Sequence, residues 1–238
     1  MNKPFKRYNG GKESDGTFQK IINIMPPHDI YIEAFLGNGA IYRHKKSATM
    51  ASIGIDADAS VINEWKKINT FPGITLINTD AISWIENFKV PAGIFKNLGT
   101  RVLIYIDPPY PKESRRSQKD RYNYEFTNEQ HKQLLEIIIE LPAMIIVSSY
   151  SNKLYNEKLS NWNNFTFQAQ THSGTATEKI WFNYPQPEVL HDYRYIGNDY
   201  REREQIKGII FRNASKFLRL PAVQRNAIIH QINNNLNS

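Results

Sequence analysis

The chain has 238 residues, 40% of them hydrophobic and 12% aromatic, with a formal net charge of +7 and no cysteine. That length suits one large domain, or one domain with a small appendage, and the basic excess favours a polyanionic partner, nucleic acid first. Lack of cysteine excludes disulfides, thiolate metal sites and cysteine nucleophiles; the scattered histidines show no ligand spacing, so no metal is expected, and no apolar run approaches the ~18 residues of a membrane span.

The N-terminus, Met1-Asn2-Lys3-Pro4-Phe5-Lys6, is basic and has no apolar stretch behind it, so no secretory signal is expected and a cytoplasmic location follows. Lys6-Arg7-Tyr8-Asn9-Gly10-Gly11-Lys12 pairs glycines with a lysine, but not at Walker A spacing. Apolar spacing predicts a helix over 17–25, stopped by Pro26-Pro27. Ile30-Tyr31-Ile32-Glu33-Ala34 reads as a strand, and Phe35-Leu36-Gly37-Asn38-Gly39 as a glycine loop opening a helix near Ala40. That is the first strand-to-helix turn of a nucleotide-binding α/β domain, with glycines where backbone must approach a ligand.

Ala51–Ile55 is the second strand. Asp56 stands 19 positions after Gly37, close to where such folds place a ribose-binding acid. Asp58 suits the N-cap of the helix predicted over 59–68, which leaves Asp56 for a ligand. Ile74–Asn78 is the third strand, and Asp80 is placed either to cap the next helix or to meet a ligand at the sheet edge.

The continuous apolar run Val102–Ile106 predicts a strand buried on both faces, and Asp107-Pro108-Pro109-Tyr110 leaves its carboxyl end. Two prolines fix φ twice and make a stiff turn. It joins an acid and backbone carbonyls, which accept from an amino group, to an aromatic ring that stacks; alternatively it is a rigid strand exit with a buried tyrosine. Lys112, Arg115, Arg116, Lys119 and Arg121 then crowd a short loop ending in Tyr122, Tyr124 and Phe126, a pattern suited to phosphate contacts and base stacking.

Thr127-Asn128-Glu129-Gln130 is a capping box opening a helix, and Met144–Val147 is a further buried strand. Strands are predicted over 164–170 and 178–184, joined by a polar linker, Thr171–Thr177, long enough to be a functional loop. After Pro185 two helices are predicted, over 199–220 and 222–236, the first strongly basic. The expected division is therefore 1–185 and a basic helical extension, 186–238.

These blocks, in this order, resemble the Dam-type (α-group) N6-adenine-specific DNA methyltransferases. Tyr8-Asn9-Gly10-Gly11-Lys12 is similar to the family's aromatic-x-G-G-K motif, and Glu33–Gly39 to its E-P-F-x-G-x-G loop, with Ala34 in place of the proline. Asp107–Tyr110 is similar to the catalytic signature, and Ser173–Tyr184 to a later G-x-x-x-x-K/E block. The tail resembles extensions of phage-type members.

The resemblance implies a Rossmann-like methyltransferase sheet with helices on both faces and S-adenosylmethionine as methyl donor. Tyr8 and Lys12 would cover the donor, and Phe35, Gly37 and Gly39 would floor it with Glu33 beside them. Asp56 would take the ribose hydroxyls and Asp80 the adenine edge. A target adenine in duplex DNA would be flipped out, with Lys112, Arg115, Arg116, Lys119, Arg121 and Tyr122 on the nucleic acid. The amine of adenine is a poor nucleophile; Asp107 and the Pro108 carbonyl would accept its hydrogens while Tyr110 stacks on the base, and transfer would be direct. Cytosine C5 methylation needs a cysteine nucleophile and is excluded; N4-cytosine enzymes usually carry serine in place of Asp107. In one respect the chain departs from the family, since only residues 81–106 separate Asp80 from Asp107, too few for a recognition domain. Sequence reading would then fall to 112–126, to 171–177 or to the C-terminal helices, and RNA or single-stranded DNA, or binding without turnover, stand as alternatives.

Overall fold

A computed structural model of the chain describes residues 11–13, 16–68, 71, 73–88, 99–115, 123–171 and 174–236. It divides into two compact units, Met1–Tyr193 and Arg194–Ser238. The first holds a seven-stranded sheet with helices, in the order α1 (Thr17–Ile22), β1 (Ile30–Glu33), α2 (Ala40–His44), β2 (Ala51–Asp56), α3 (Ala59–Lys66), β3 (Ile74–Asn78), α4 (Ala81–Asn87) and β4 (Val102–Ile106). Then follow α5 (Asn128–Glu140), β5 (Met144–Tyr150), α6 (Lys153–Lys158), β6 (Asn163–Thr171) and β7 (Gly174–Phe182).

The strand order is β3-β2-β1-β4-β5-β7-β6, parallel except that β7 runs against both β5 and β6. This is the Rossmann-like α/β sheet expected. From β1 the chain steps outward through β2 and β3, then crosses back to lay β4 on the other side of β1. The order reverses between β1 and β4, and in open α/β sheets that switch point opens a crevice beyond the strands' carboxyl ends. Glu33 of β1 pairs with Tyr105 of β4, so the residues leaving the two strands enter the crevice together.

The buried strands explain their own sequences. All five residues of β4 are buried, which requires apolar side chains on both faces. Ile32, Ile104, Ile106, Ile145 and Val147 join Ile82 and Ile85 of α4 and Leu134, Leu135 and Ile138 of α5 in one core cluster. Each such side chain contributes about 1.5–3 kcal/mol, and together they hold the strand ends in register. Asp58 caps α3 by accepting from the Ser60 N–H at 2.8 Å, and Thr127 with Gln130 closes the capping box of α5.

Two sequence expectations are corrected here. In the Thr171–Thr177 linker the described residues are strand and not loop: β6 and β7 stay paired from Gln168↔Thr177 to Thr171↔Gly174, while His172 and Ser173 lie outside the described residues. The polarity of these residues marks a two-stranded sheet edge with a solvated face rather than irregular chain. Helix α6 was not anticipated; it is a single short segment started by Asn152, whose side chain accepts from the Tyr155 N–H at 3.0 Å.

In the second unit, α7 (Tyr200–Leu218) is capped by Asp199 and α8 (Ala222–Leu236) follows directly. No described helix is long and apolar enough to cross a membrane.

The glycine loop after β1 depends on two left-handed residues, Gly37 at φ 46° and Gly39 at φ 59°. A Cβ on Gly39 would lie 2.2 Å from the Trp65 ring. Gly39→Ala therefore combines a strained φ with overpacking and is expected to lower stability by about 2–4 kcal/mol, measured as a shift in the urea unfolding curve.

Candidate active site

The crevice at the switch point holds a cavity of about 380 Å³, in the range of roughly 300–1,000 Å³ typical of small-molecule sites. Its walls bring together Lys12, Glu33, Phe35, Gly37, Asp56, Asp80, Asp107 and Pro108, residues drawn from the ends of four parallel strands and the N-terminal segment.

Asp107, the first residue beyond β4, keeps 16% of its side-chain exposure and faces a buried lysine. Lys12 Nζ lies 2.9 Å from Asp107 Oδ1 and 2.8 Å from Oδ2. The same ammonium donates to Tyr110 OH at 2.6 Å. Tyr110 OH in turn donates to Glu178 Oε2 at 2.7 Å, and Ser148 Oγ lies 3.3 Å from both. Burial pushes the Asp107 carboxyl up to about 6; the Lys12 ammonium opposes that rise and the nearby Glu178 carboxylate adds to it.

Tyr110 does not present its ring as an open stacking face. It is 4% exposed, does not line the cavity, and meets the Tyr150 ring edge-on at 4.5 Å. Its hydroxyl is what ties the turn to β5 and β7. The sequence suggested stacking because the aromatic follows the acid, yet two rigid prolines between them turn the ring inward.

The opposite wall is built by the glycine loop and the end of β2. Asp56 Oδ2 accepts from the Gly37 N–H at 2.8 Å and Oδ1 from the Asp58 N–H at 2.9 Å. Burial raises its carboxyl above the ordinary value, against the pull of these two donors. Asp58 caps α3, leaving Asp56 at the cavity as the sequence suggested. Asp80 Oδ2 caps α4 through the Ser83 N–H at 2.8 Å, and the residue also lines the cavity.

Glu33 is buried and is pushed up to about 8 by desolvation. Its Oε2 accepts from Tyr31 OH at 2.9 Å and from the Tyr42 N–H at 3.0 Å, so one oxygen holds α2 against the strand end. Lys12, expected over a cofactor, is engaged with Asp107 and Tyr110 instead, although it lines the same cavity.

The basic loop is only partly a surface feature. Arg115 is 8% exposed and pairs with Glu125 through both guanidinium nitrogens, at 2.9 and 2.5 Å, while Nε donates to the Tyr110 carbonyl at 2.6 Å. That corrects its assignment as a phosphate contact, since a bidentate buried pair is not available to an external anion. Lys112 sits exposed in the single 3-10 turn Lys112–Ser114. Tyr8, Arg116, Lys119, Arg121 and Tyr122 lie outside the described residues.

Several participants were not singled out from the sequence. Glu178 is the one acid in the middle of the last strand, and Ser148 follows an apolar run; only the antiparallel pairing of β5 with β7 brings them under Tyr110. Asn123, also not singled out, donates to Asp58 at 2.6 Å, while Phe126, named in the sequence among the stacking aromatics, lines the cavity and packs edge-on against Phe35 at 5.4 Å. No cluster able to hold a metal ion occurs among the described residues.

Breaking the buried Arg115–Glu125 pair leaves an uncompensated carboxylate beneath the turn. Arg115→Ala is expected to cost about 3–5 kcal/mol, whereas Lys112→Ala stays within about 0.5 kcal/mol, compared by chemical denaturation of the two variants.

No protein-family model matches the chain, and no curated relative matches it. Among solved structures it is similar to an rRNA methylase from Streptococcus thermophilus, at 11% identity and a TM-score of 0.42, over 71% of this chain and 93% of that one. It is similar to a precorrin 8W decarboxylase from Methanobacterium thermoautotrophicum at 12% identity and a TM-score of 0.40, covering 69% and 86%. A tRNA (uracil-54, C5)-methyltransferase from Pyrococcus abyssi, solved with S-adenosyl-L-homocysteine, matches at 12% identity and a TM-score of 0.41, over 69% of this chain and 36% of that one. At these values the likeness has no functional weight.

Proposed function

We propose that the chain is an N6-adenine-specific DNA methyltransferase using S-adenosylmethionine. The observation that carries this reading is the placement of the Asp107 carboxylate at the floor of a nucleoside-sized cavity, at the end of β4 and across from Asp56 and the glycine loop.

The residues suit the donor. Asp56 still has lone pairs beyond the two N–H bonds it accepts, as binding a ribose diol requires. The Phe35 ring, backbone at Gly37 and the carboxylate of Asp80 offer an apolar face and polar edges for an adenine ring. When bound, S-adenosylmethionine supplies an electrophilic methyl on a sulfonium. Asp107 and the Pro108 carbonyl accept the two hydrogens of the acceptor amine, drawing its lone pair out of the ring and stabilising the positive charge that develops on nitrogen. The diproline turn fixes both acceptors in one geometry, with Tyr110 anchoring it from below. The attack is direct and needs no enzyme nucleophile. The acceptor must leave the base stack to reach a buried carboxylate, so a flipped base is required. In this reading Lys112 and the basic side chains of α7 meet the phosphate backbone, and residues 186–238 act as a nucleic-acid-contacting extension of the transferase.

A second reading keeps the chemistry but moves it to RNA or single-stranded DNA. It is favoured by the short stretch 81–106, which leaves no recognition segment between α4 and the catalytic strand. Competition between duplex and single-stranded substrates separates the two.

Incubation with labelled S-adenosylmethionine and unmethylated DNA is expected to place label on adenine N6. Asp107→Ala should lower kcat by about 10²–10³ or more, and label found elsewhere or nowhere would sink the proposal. Because the amine is bound by ionised Asp107, and its carboxyl titrates at about 6, kcat/KM should fall as pH drops through about 6 and level off above it. The effect is read from a pH–rate profile.

A further inference from the structure

Sequence is read by an element that reaches the base edges, and the stretch 81–106 is too short to supply a recognition domain. The last two strands extend where such an element is needed. Strand β5 runs parallel to β4, with Val147 beside Ile106, and it ends at Tyr150 opposite Glu178 of β7. Past that level β6 and β7 stay paired with each other, from Gln168↔Thr177 to Thr171↔Gly174. At ~3.4 Å per residue they carry a two-stranded ribbon about 13 Å beyond the end of β5. The ribbon leaves the sheet on the side where β4 delivers Asp107 to the cavity.

In the proposed reaction a duplex lies across that side to release a base toward Asp107. In the sheet, β7 and β6 stand two and three strands from β4, about 10–14 Å at the usual spacing. With about 3.4 Å between successive base pairs, the ribbon meets the duplex roughly three or four pairs from the flipped base. The major groove of B-form DNA, about 12 Å wide, admits a two-stranded ribbon, whereas the narrow major groove of A-form RNA does not.

The side chains suit base edges. No Asp, Glu, Lys or Arg stands between Lys158 and Glu178, in a chain of which 22% is charged. Edge strands ordinarily carry charges that keep them from pairing with other chains; β6, nine residues long, has none. Along it Phe165, Phe167 and Ala169 turn to the covered face, and Thr166 and Gln168 are exposed on the other. Gln168 Nε2 donates across the strands to Thr177 Oγ1 at 2.9 Å, and both residues are exposed. This bond orients the amide and uses one of its two N–H groups. Oε1 and the second N–H remain, an acceptor and a donor side by side, which match N6 and N7 of an adenine in the major groove.

We infer that the β6–β7 ribbon is the sequence-reading element: it enters the major groove beside the flipped base, where Gln168, oriented by Thr177, selects an A·T pair. This rests on the DNA methyltransferase reading given above.

The test maps the sequence context of N6-methyladenine in duplex DNA treated with the full-length parent or with Gln168→Ala. The parent is expected to prefer an A·T pair roughly three or four pairs from the methylated adenine. Gln168→Ala should lower that preference, as a ratio of kcat/KM values, by about tenfold. S-adenosylmethionine affinity, measured by calorimetry, should stay within about twofold of the parent. If circular dichroism shows that Gln168→Ala does not fold, Gln168→Glu replaces it; this keeps the shape, loses the N–H donors, and should lower the preference by about the same factor. An unchanged context, an equal loss on every sequence, or a parent indifferent to the bases around its target each overturns the inference. So does a dimer that Thr166→Lys splits into monomers in sedimentation, which would assign the edge strand to a second copy. A parent that transfers no methyl group to duplex DNA removes the underlying reading, and this one with it. An active parent whose context the variant leaves unchanged removes this one alone.

Discussion

One buried ammonium between two buried carboxylates sets the chemistry of this site. Without Lys12, the Glu178 carboxylate and burial would push the Asp107 carboxyl up unopposed by that cation. With Lys12 present, Asp107 is held near 6 rather than higher. A carboxylate in that position is weakly solvated, and in the proposed reaction that favours a neutral amine as its partner. A fully solvated aspartate exchanges its partners with water, and a protonated one is a weaker acceptor that carries a donor of its own. The rest of the pocket depends on this compromise, because it allows a carboxylate to sit at the bottom of a crevice instead of at its rim.

The sheet supplies the means. Parallel strands β1 and β4 deliver Glu33 and Asp107 side by side at the switch point, and β2 and β3 add Asp56 and Asp80 in turn. The antiparallel β7 then reaches in from the other side, carrying Glu178 beneath the diproline turn. An all-parallel sheet would have presented only strand ends to the crevice. Reversing one strand lays a mid-strand side chain, Glu178, against the Tyr110 hydroxyl beneath the turn.

Much of this was legible in the chain because local rules and global fold agree. The unbroken run Val102–Ile106 required a doubly covered strand, the glycines at 37 and 39 marked a close turn, where the backbone is left-handed, and Asp58 was a better cap than Asp56. What could not be read were relations between residues distant in sequence. Glu178 stands 68 positions from Tyr110, inside the Ser173–Tyr184 block, and only the fold shows its side chain meeting the Tyr110 hydroxyl. Arg115 belonged to a charge cluster whose average behaviour is solvated, but the acid ten positions on, Glu125, claims it. Tyr110 was read by its ring, although its hydroxyl is the group that is used. Composition describes what residues of a type usually do, whereas burial decides what one of them does, and burial is a property of the fold.

The Arg115–Glu125 pair also changes how the basic segment relates to the site. Arg115 donates to the Tyr110 carbonyl while gripping Glu125, so a charged clamp joins the acceptor turn to the residues that precede α5. Just beyond it, Phe126 packs against Phe35 of the glycine loop, and Asn123 reaches Asp58 at the start of α3. The diproline turn, the cavity wall and the glycine loop are thereby linked through one short stretch of chain. A cation placed here for structure can be buried only because its partner and a backbone carbonyl satisfy it; a cation meant for phosphate has to stay in water. The cluster therefore contains two kinds of residue that look alike in sequence. Arg115 ties the Tyr110 carbonyl to Glu125, whereas Lys112 is exposed.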